Sequence, residues 1–172
     1  MARVVEVPSF ALVLLVGSAG SGKSTFARDR FASTEIVSSD HYRGVVRDDE
    51  TNMEGSADAY ELFHLVVDKR LGARRFTVVD ATNVRARDRA PLLAKASRHG
   101  APAVAIVLDV DGATCVARND ARGDRPNSRI YVLRQQESLR ASLPTLASEG
   151  FVAVHVLGAS DIAEARVERI GR

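Results

Sequence analysis

Cysteine is nearly absent from this chain. Cys115 is the only one in 172 residues, so no disulfide can form within the chain, and a reducing compartment is expected. No apolar run approaches the ~18 residues that a membrane-spanning helix needs. A strong excess of one charge is missing too. Lys and Arg number 24 against 22 Asp and Glu, a formal net charge of +2, so the chain as a whole makes no electrostatic case for a polyanionic partner. The four histidines, His41, His64, His99 and His155, lack metal-ligand spacing. Internal repeats, low-complexity tracts and linkers are absent, as is the guanine-reading pattern N-K-x-D. One domain over residues 1–172 is the expectation at this length, whether or not it was excised from a longer multidomain chain. Arg3 followed by an apolar run mimics a signal peptide. That run leads directly into the loop described next, and removing it would destroy the loop. It reads as a buried strand, and a cytoplasmic location is expected.

Residues 17–25 read G-S-A-G-S-G-K-S-T. They match G-x-x-x-x-G-K-[ST], with Gly17, Gly22, Lys23 and Ser24 in register, between an apolar run and an amphipathic segment at 25–31. Glycines let the backbone curl until successive N–H groups point at phosphate oxygens, and the following helix adds its positive end. The expected donor site is therefore Gly20, Ser21, Gly22, Lys23, Ser24 and Thr25. Lys23 would reach the β- and γ-phosphates of ATP, and the Ser24 hydroxyl would ligate Mg²⁺.

Five short apolar runs, at 11–16, 35–38, 76–80, 103–109 and 152–157, have the composition of strands covered on both faces. Helical patterns lie between them. Ala59, Leu62, Phe63, Val66 and Val67 make one stripe. Residues 87–98 make a second helix, with Pro91 expected in its first turn. Residues 111–122 make a third, capped by Asp111, and 130–143 a fourth, stopped by Pro144. A last helix is expected over 161–170, capped by Asp161. Strand–helix alternation implies a P-loop NTPase-type α/β fold: a parallel five-stranded sheet, order 2-3-1-4-5, with helices on both faces and ligands at the carboxyl ends of the strands. The longest irregular stretch is expected at 43–56, a loop long enough to be functional.

Three acids fall at or just after such ends: Asp40, Asp80 and Asp109. Asp40 precedes Arg43 by three residues. Transfer of a phosphoryl group to a hydroxyl needs a carboxylate to take the proton and a group to hold the acceptor; Asp40 and Arg43 could supply both, with a helix cap as the lesser alternative for Asp40. Asp80 opens D-A-T-N (80–83) and suits a Walker B acid holding Mg²⁺, directly or through water. Thr82 and Asn83 could bind the acceptor or shape the turn. Arg118 and Arg122, four apart, share a helix face that Gly123 ends, and Arg125 follows before Pro126. Together these arginines suit a lid over the triphosphate. A second basic cluster, Arg85, Arg87, Arg89, Lys95 and Arg98, is either a polyanion patch or a solvated helix face.

The order and spacing of G-S-G-K-S-T (20–25), S-S-D-x-x-R (38–43), V-V-D-A-T-N (78–83) and R-N-x-x-R-x-D-R (118–125) resemble the 5′-hydroxyl polynucleotide kinase module of the bacterial polynucleotide kinase-phosphatase family, which repairs RNA ends. Asp48–Glu50 and the segment 143–151 add to the likeness, which covers nearly the whole chain. The resemblance implies transfer of the γ-phosphate of ATP, or of other NTPs, to a 5′-OH end of RNA or DNA. It implies Asp40 as general base and Arg43 on the acceptor strand, with Arg118, Arg122 and Arg125 on the donor nucleotide. It also implies phosphatase and ligase-like modules in the same chain and an RNA methyltransferase partner. A P-loop kinase of a small metabolite or nucleoside shares the loop, an acid near Asp40 and an arginine lid, and stays open. A GTPase-like switch is disfavoured by the missing N-K-x-D.

Overall fold

Residues 12–16, Leu-Val-Leu-Leu-Val, contain no polar side chain, and every one of them is buried. A strand apolar on both faces belongs in the middle of a covered sheet, and that is where this one lies. The computed structural model describes residues 3–52, 56–123 and 128–171. In chain order the elements are β1 (Val4–Pro8), β2 (Leu12–Val16), α1 (Lys23–Arg30), a single 3₁₀ turn (Ser33–Glu35), β3 (Ile36–Ser38), α2 (Ser39–Arg47), α3 (Ser56–Gly72), β4 (Thr77–Asp80), α4 (Ala86–Arg98), β5 (Ala103–Asp109), α5 (Gly112–Asp120), α6 (Ser128–Leu146), β6 (Ala153–Gly158), α7 (Ala159–Glu164) and β7 (Arg166–Ile170).

The main sheet is parallel throughout, in the order β3-β4-β2-β5-β6. Counting its five strands alone, this is the expected 2-3-1-4-5. Alternate side chains of β2 serve opposite faces. Leu12, Leu14 and Val16 pack with Phe63, Val67 and Leu71 of α3, Leu92 and Ala96 of α4, and Leu139 and Leu146 of α6. Val13 and Leu15 pack with Phe26 and Ala27 of α1, with Leu157 of β6, and with Val5 and Val7 of β1.

The ends of the chain depart from expectation. Residues 161–170 are not one helix. Asp161 does serve a helix start, accepting from the Gly158 N–H at 3.0 Å, but α7 ends at Glu164. The chain then becomes β7, paired in parallel with β1 in a separate two-stranded sheet. Alternating burial of Val5 and Val7 along β1 is the period-two signal behind that strand. The segment leading into β7 is fastened to α1, where Arg30 donates to the carbonyls of Ile162 (2.7 Å) and Ala165 (3.0 Å), and the guanidinium of Arg169 in β7 lies 3.7 Å from the ring centroid of Phe76, just before β4.

Three smaller expectations are corrected. Pro144 does not stop α6, which runs to Leu146; its ring is on the exposed side of the helix while Leu146 stays buried. Pro91 is the sixth residue of α4, past the first turn. The irregular stretch is shorter than 43–56, because α2 extends to Arg47.

The basic cluster at 85–98 is not simply a solvated face. Arg89 is fully buried and meets Glu149 through two hydrogen bonds, 2.7 and 2.5 Å, while its remaining nitrogen donates to the Asn83 carbonyl at 2.6 Å. This one guanidinium joins α4, the turn after β4, and the segment that follows α6. Removing one member of a buried pair strands the other's charge, at a cost of about 3–5 kcal/mol, whereas an apolar pair of similar volume is often tolerated. Arg89→Ala is therefore expected to lose about 3 kcal/mol or more in urea unfolding, and Arg89→Met with Glu149→Leu to recover most of it.

Candidate active site

The carboxyl ends of β2, β3 and β4 open on one cleft of about 670 Å³. After β2 the chain turns through the glycine loop. Gly20 and Gly22 take left-handed backbone (φ 81° and 96°), a conformation that strains other residues. A Cβ on Gly20 would also run into the carbonyl of Cys115, so α5 packs directly on the loop. Two glutamines of α6 brace it from the same side. Gln135 Oε1 accepts from the Ala19 N–H at 2.7 Å, and Gln136 Nε2 donates to Ser18 Oγ at 2.7 Å and to the Val110 carbonyl at 2.9 Å.

Lys23, Ser24, Gly20 and Gly22 line the cleft. Ser21 is buried behind them, and Thr25 is exposed on α1. The Lys23 ammonium is buried and donates to the Ser18 carbonyl at 2.8 Å. Burial lowers its pKa from 10.5 to about 8, against the opposing pull of Asp80. Asp80, at the end of β4, is 7% exposed. Burial raises its pKa, opposed by a hydrogen bond with Ser24 and by the Lys23 charge. A hydroxyl and a carboxylate thus meet beside the loop. Magnesium takes hard oxygen ligands and commonly only one or two from protein, the rest coming from phosphates and water. Ser24 and Asp80 fit that demand.

Ser38 starts α2 by accepting from the His41 N–H at 3.4 Å. Asp40 is therefore a first-turn residue rather than the cap, and a three-residue spacing on a helix brings Arg43 beside it. The two form an ion pair, with Asp40 36% and Arg43 12% exposed, and both line the cleft. His41 is exposed, its ring 5.2 Å from that of Tyr42. Asp109, the third strand-end acid, is exposed and does not line the cleft.

Thr82 lines the cleft. Asn83 does not; it is buried, with φ 49°, and donates to the Leu15 carbonyl at 2.8 Å, which makes it a pin for the turn. Among the arginines, Arg122 lines the cleft near Lys23, and Arg118 is exposed on α5 without lining it. Arg125 lies outside the described residues.

A family model described as an AAA domain matches residues 12–144. The chain belongs to this AAA-domain family. Its fold, a parallel five-stranded sheet with helices, matches that of P-loop kinases. A comparison with curated proteins gives no match. Among solved structures, the chain is similar to Kti12 from Chaetomium thermophilum in complex with ADP-AlF3 (20% identity, TM-score 0.64, 87% of this chain and 90% of that one). It is similar to a gluconokinase from Sinorhizobium meliloti 1021 (18%, TM-score 0.56, 92% and 88%). It is also similar to a chain of a Pnkp1/Rnl/Hen1 complex (27%, TM-score 0.54, 65% of this chain and 40% of that one).

Sequence reasoning missed a group of cleft residues in this AAA domain: Tyr60 of α3, Arg85 and Asp88 at the start of α4, Asn119 of α5, and Tyr131, Arg134 and Gln135 of α6. Asn119 is buried with its Oδ1 unpartnered. Asn119 falls inside R-N-x-x-R and Arg85 inside the basic cluster, but neither pattern points to this cleft, and the residues come together only when four helices, α3 to α6, pack.

The Lys23 shift sets a sign for stability. An unfolded lysine keeps its proton to about pH 10.5, whereas the folded one releases it near pH 8. Between those values the unfolded chain holds more protons, so stability rises with pH, and at neutral pH the buried charge is a cost. Lys23→Met is expected to raise Tm at pH 7, to flatten the rise between about pH 8 and 10.5, and to abolish phosphotransfer. For the unsubstituted protein, ATP affinity is expected to weaken as pH climbs past about 8, with proton uptake on binding, read by calorimetry in buffers of different ionisation enthalpy.

Proposed function

We propose that this AAA domain transfers the γ-phosphate of ATP, or of another NTP, to the 5′-hydroxyl end of RNA or DNA. The observation that carries the reading is the Asp40–Arg43 pair, lining the same cleft as Lys23, Ser24 and Asp80. A carboxylate oriented by a guanidinium suits the removal of a proton from an acceptor hydroxyl. The spacing of the four sequence elements and the 27% identity to a chain of the Pnkp1/Rnl/Hen1 complex favour a polynucleotide acceptor. By the same resemblance the domain works beside phosphatase and ligase-like modules and an RNA methyltransferase.

In this reading the loop N–H groups and Lys23 hold the donor phosphates, and Ser24 with Asp80 holds Mg²⁺. The metal, when bound, neutralises charge on the β- and γ-phosphates. Asp40 accepts the proton of the 5′-hydroxyl as its oxygen bonds to the γ-phosphorus. The bond from that phosphorus to the β–γ bridging oxygen breaks, and ADP leaves. Arg43 keeps the Asp40 carboxylate aligned and steadies the acceptor. Arg122 offsets charge on the transferring group, with Arg118 and Arg125 as further lid residues. Thr82, at the end of the Asp80 strand, is placed to touch the acceptor, and Asn83 supports it through the turn.

The direct test is transfer of label from γ-labelled ATP to 5′-OH RNA and DNA oligonucleotides, free nucleosides and gluconate in parallel. Label in an oligonucleotide and little in the small acceptors is expected. Label in a nucleoside or sugar acid and none in either oligonucleotide would overturn the reading in favour of a metabolite kinase. Asp40→Ala is expected to lower kcat by roughly 10²–10⁴ with ATP affinity nearly unchanged; full turnover in that variant would remove Asp40 as the base. Arg122→Ala is expected to impair turnover or raise KM for ATP more than Arg118→Ala, following their different places at the cleft.

A further inference from the structure

Part of the cleft lining has no role in the transfer chemistry described above. Tyr60 projects there from α3 and Tyr131 from α6, and they keep 39% and 50% of their surface exposed. Phe63 and His64 pack close to the Tyr60 ring, at centroid distances of 5.4 and 5.1 Å, which leaves its remaining surface to the cleft. Burial raises the Tyr60 pKa, with smaller influences from Asp88, Tyr131 and Arg43; Tyr60 is thus within electrostatic reach of both the second tyrosine and the Asp40–Arg43 pair. Arg85 and Arg134, both exposed, line the same cleft. Asp88, in the same lining, is 3.9 Å from Arg87 in an ion pair.

Aromatic rings left open in a cleft beside guanidinium groups match one acceptor chemistry well: a flat heterocycle joined to phosphodiesters. A sugar acid offers no flat face for the tyrosines, and a free nucleoside offers no phosphate for the arginines. We propose that Tyr60 and Tyr131 form a stacking wall for the 5′-terminal base of the acceptor strand, with Arg85 and Arg134 meeting the phosphates that follow it. This inference rests on the polynucleotide reading above and names the groups that would give it acceptor selectivity. Stacking tolerates every base, so the wall selects for the presence of a base rather than for its identity.

The experiment is a cycle between protein and acceptor. Steady-state kinetics are measured with a 5′-OH oligonucleotide and with one whose 5′-terminal residue is abasic, for the unsubstituted protein, Tyr60→Ala, Tyr131→Ala, and the Phe variant at each position. KM for the intact oligonucleotide is expected to rise roughly 5- to 150-fold in at least one Ala variant, with KM for ATP unchanged and the Phe variants close to normal. The abasic acceptor should carry the same defect with the unsubstituted protein, and the Ala substitutions should add little to it. Arg134→Gln should weaken both acceptors alike and flatten the salt dependence of KM. If the unsubstituted protein phosphorylates both acceptors equally well, or if the Ala variants lose as much on the abasic end as on the intact one, the stacking wall is wrong while the polynucleotide reading stands. If no oligonucleotide is phosphorylated by the unsubstituted protein, both fall.

Discussion

A positive charge is held where water is scarce, and the rest of the cleft is arranged around it. The Lys23 ammonium at the start of α1 is buried, rests on the Ser18 carbonyl, and feels the Asp80 carboxylate. A burial of this kind opposes folding, so it persists only because neighbouring structure leaves it no alternative. Gly20 lets the loop press against α5, Gln135 and Gln136 hold it from α6, and the buried β2 fixes its base. In the proposed reading the same charge would make the site a receptor for phosphate oxygens. The instability of the lysine and its affinity for phosphate have one origin, incomplete solvation, and phosphate would relieve it.

The parts of the molecule that follow local rules were legible from the sequence. The glycine loop is contiguous, the five central strands are short Val- and Ile-rich runs, and Asp40 and Asp80 stand at strand ends. Asp111 accepts from the Thr114 N–H at 2.8 Å, as a cap should. What was not legible depends on distant partners. Residues 166–170 alternate charge and apolarity weakly, and only pairing with β1 makes a strand of them. Arg89 reads as one cation in a basic helix until Glu149, 60 positions away, is packed against it. Pro144 looked like a stop because the sequence alone does not say that its ring would fall on the exposed side. The four sequence elements also left one wall of the cleft blank, since Tyr60 and Tyr131 belong to no motif.

Helix α6 joins these themes. Its glutamines grip the loop at Ala19 and Ser18, its Ser142 hydroxyl donates to the Val84 carbonyl at 2.9 Å, and the segment after it supplies Glu149 to Arg89. The same helix presents Tyr131 and Arg134 to the cleft. Donor loop, the turn after the Asp80 strand and the proposed acceptor wall are therefore all in contact with one helix. A contact made at the acceptor end is mechanically continuous with the loop that would hold the phosphates, without any need for a hinge between them.

The pairing of β1 with β7 has a consequence for how the chain folds. Val5 sits opposite Val167, so a ladder begun before the central sheet is completed only after it. Among the described residues β7 is the only strand that β1 pairs with. During synthesis Val5 and Val7 must wait for the roughly 160 residues between the two strands to emerge before their strand has its neighbour. The entropy of closing so large a loop grows only slowly with its length, but contacts so distant in sequence form late. The small sheet is thus a latch on the domain: the central sheet and its loop can assemble first, and β7 closes over the helix that begins at Lys23.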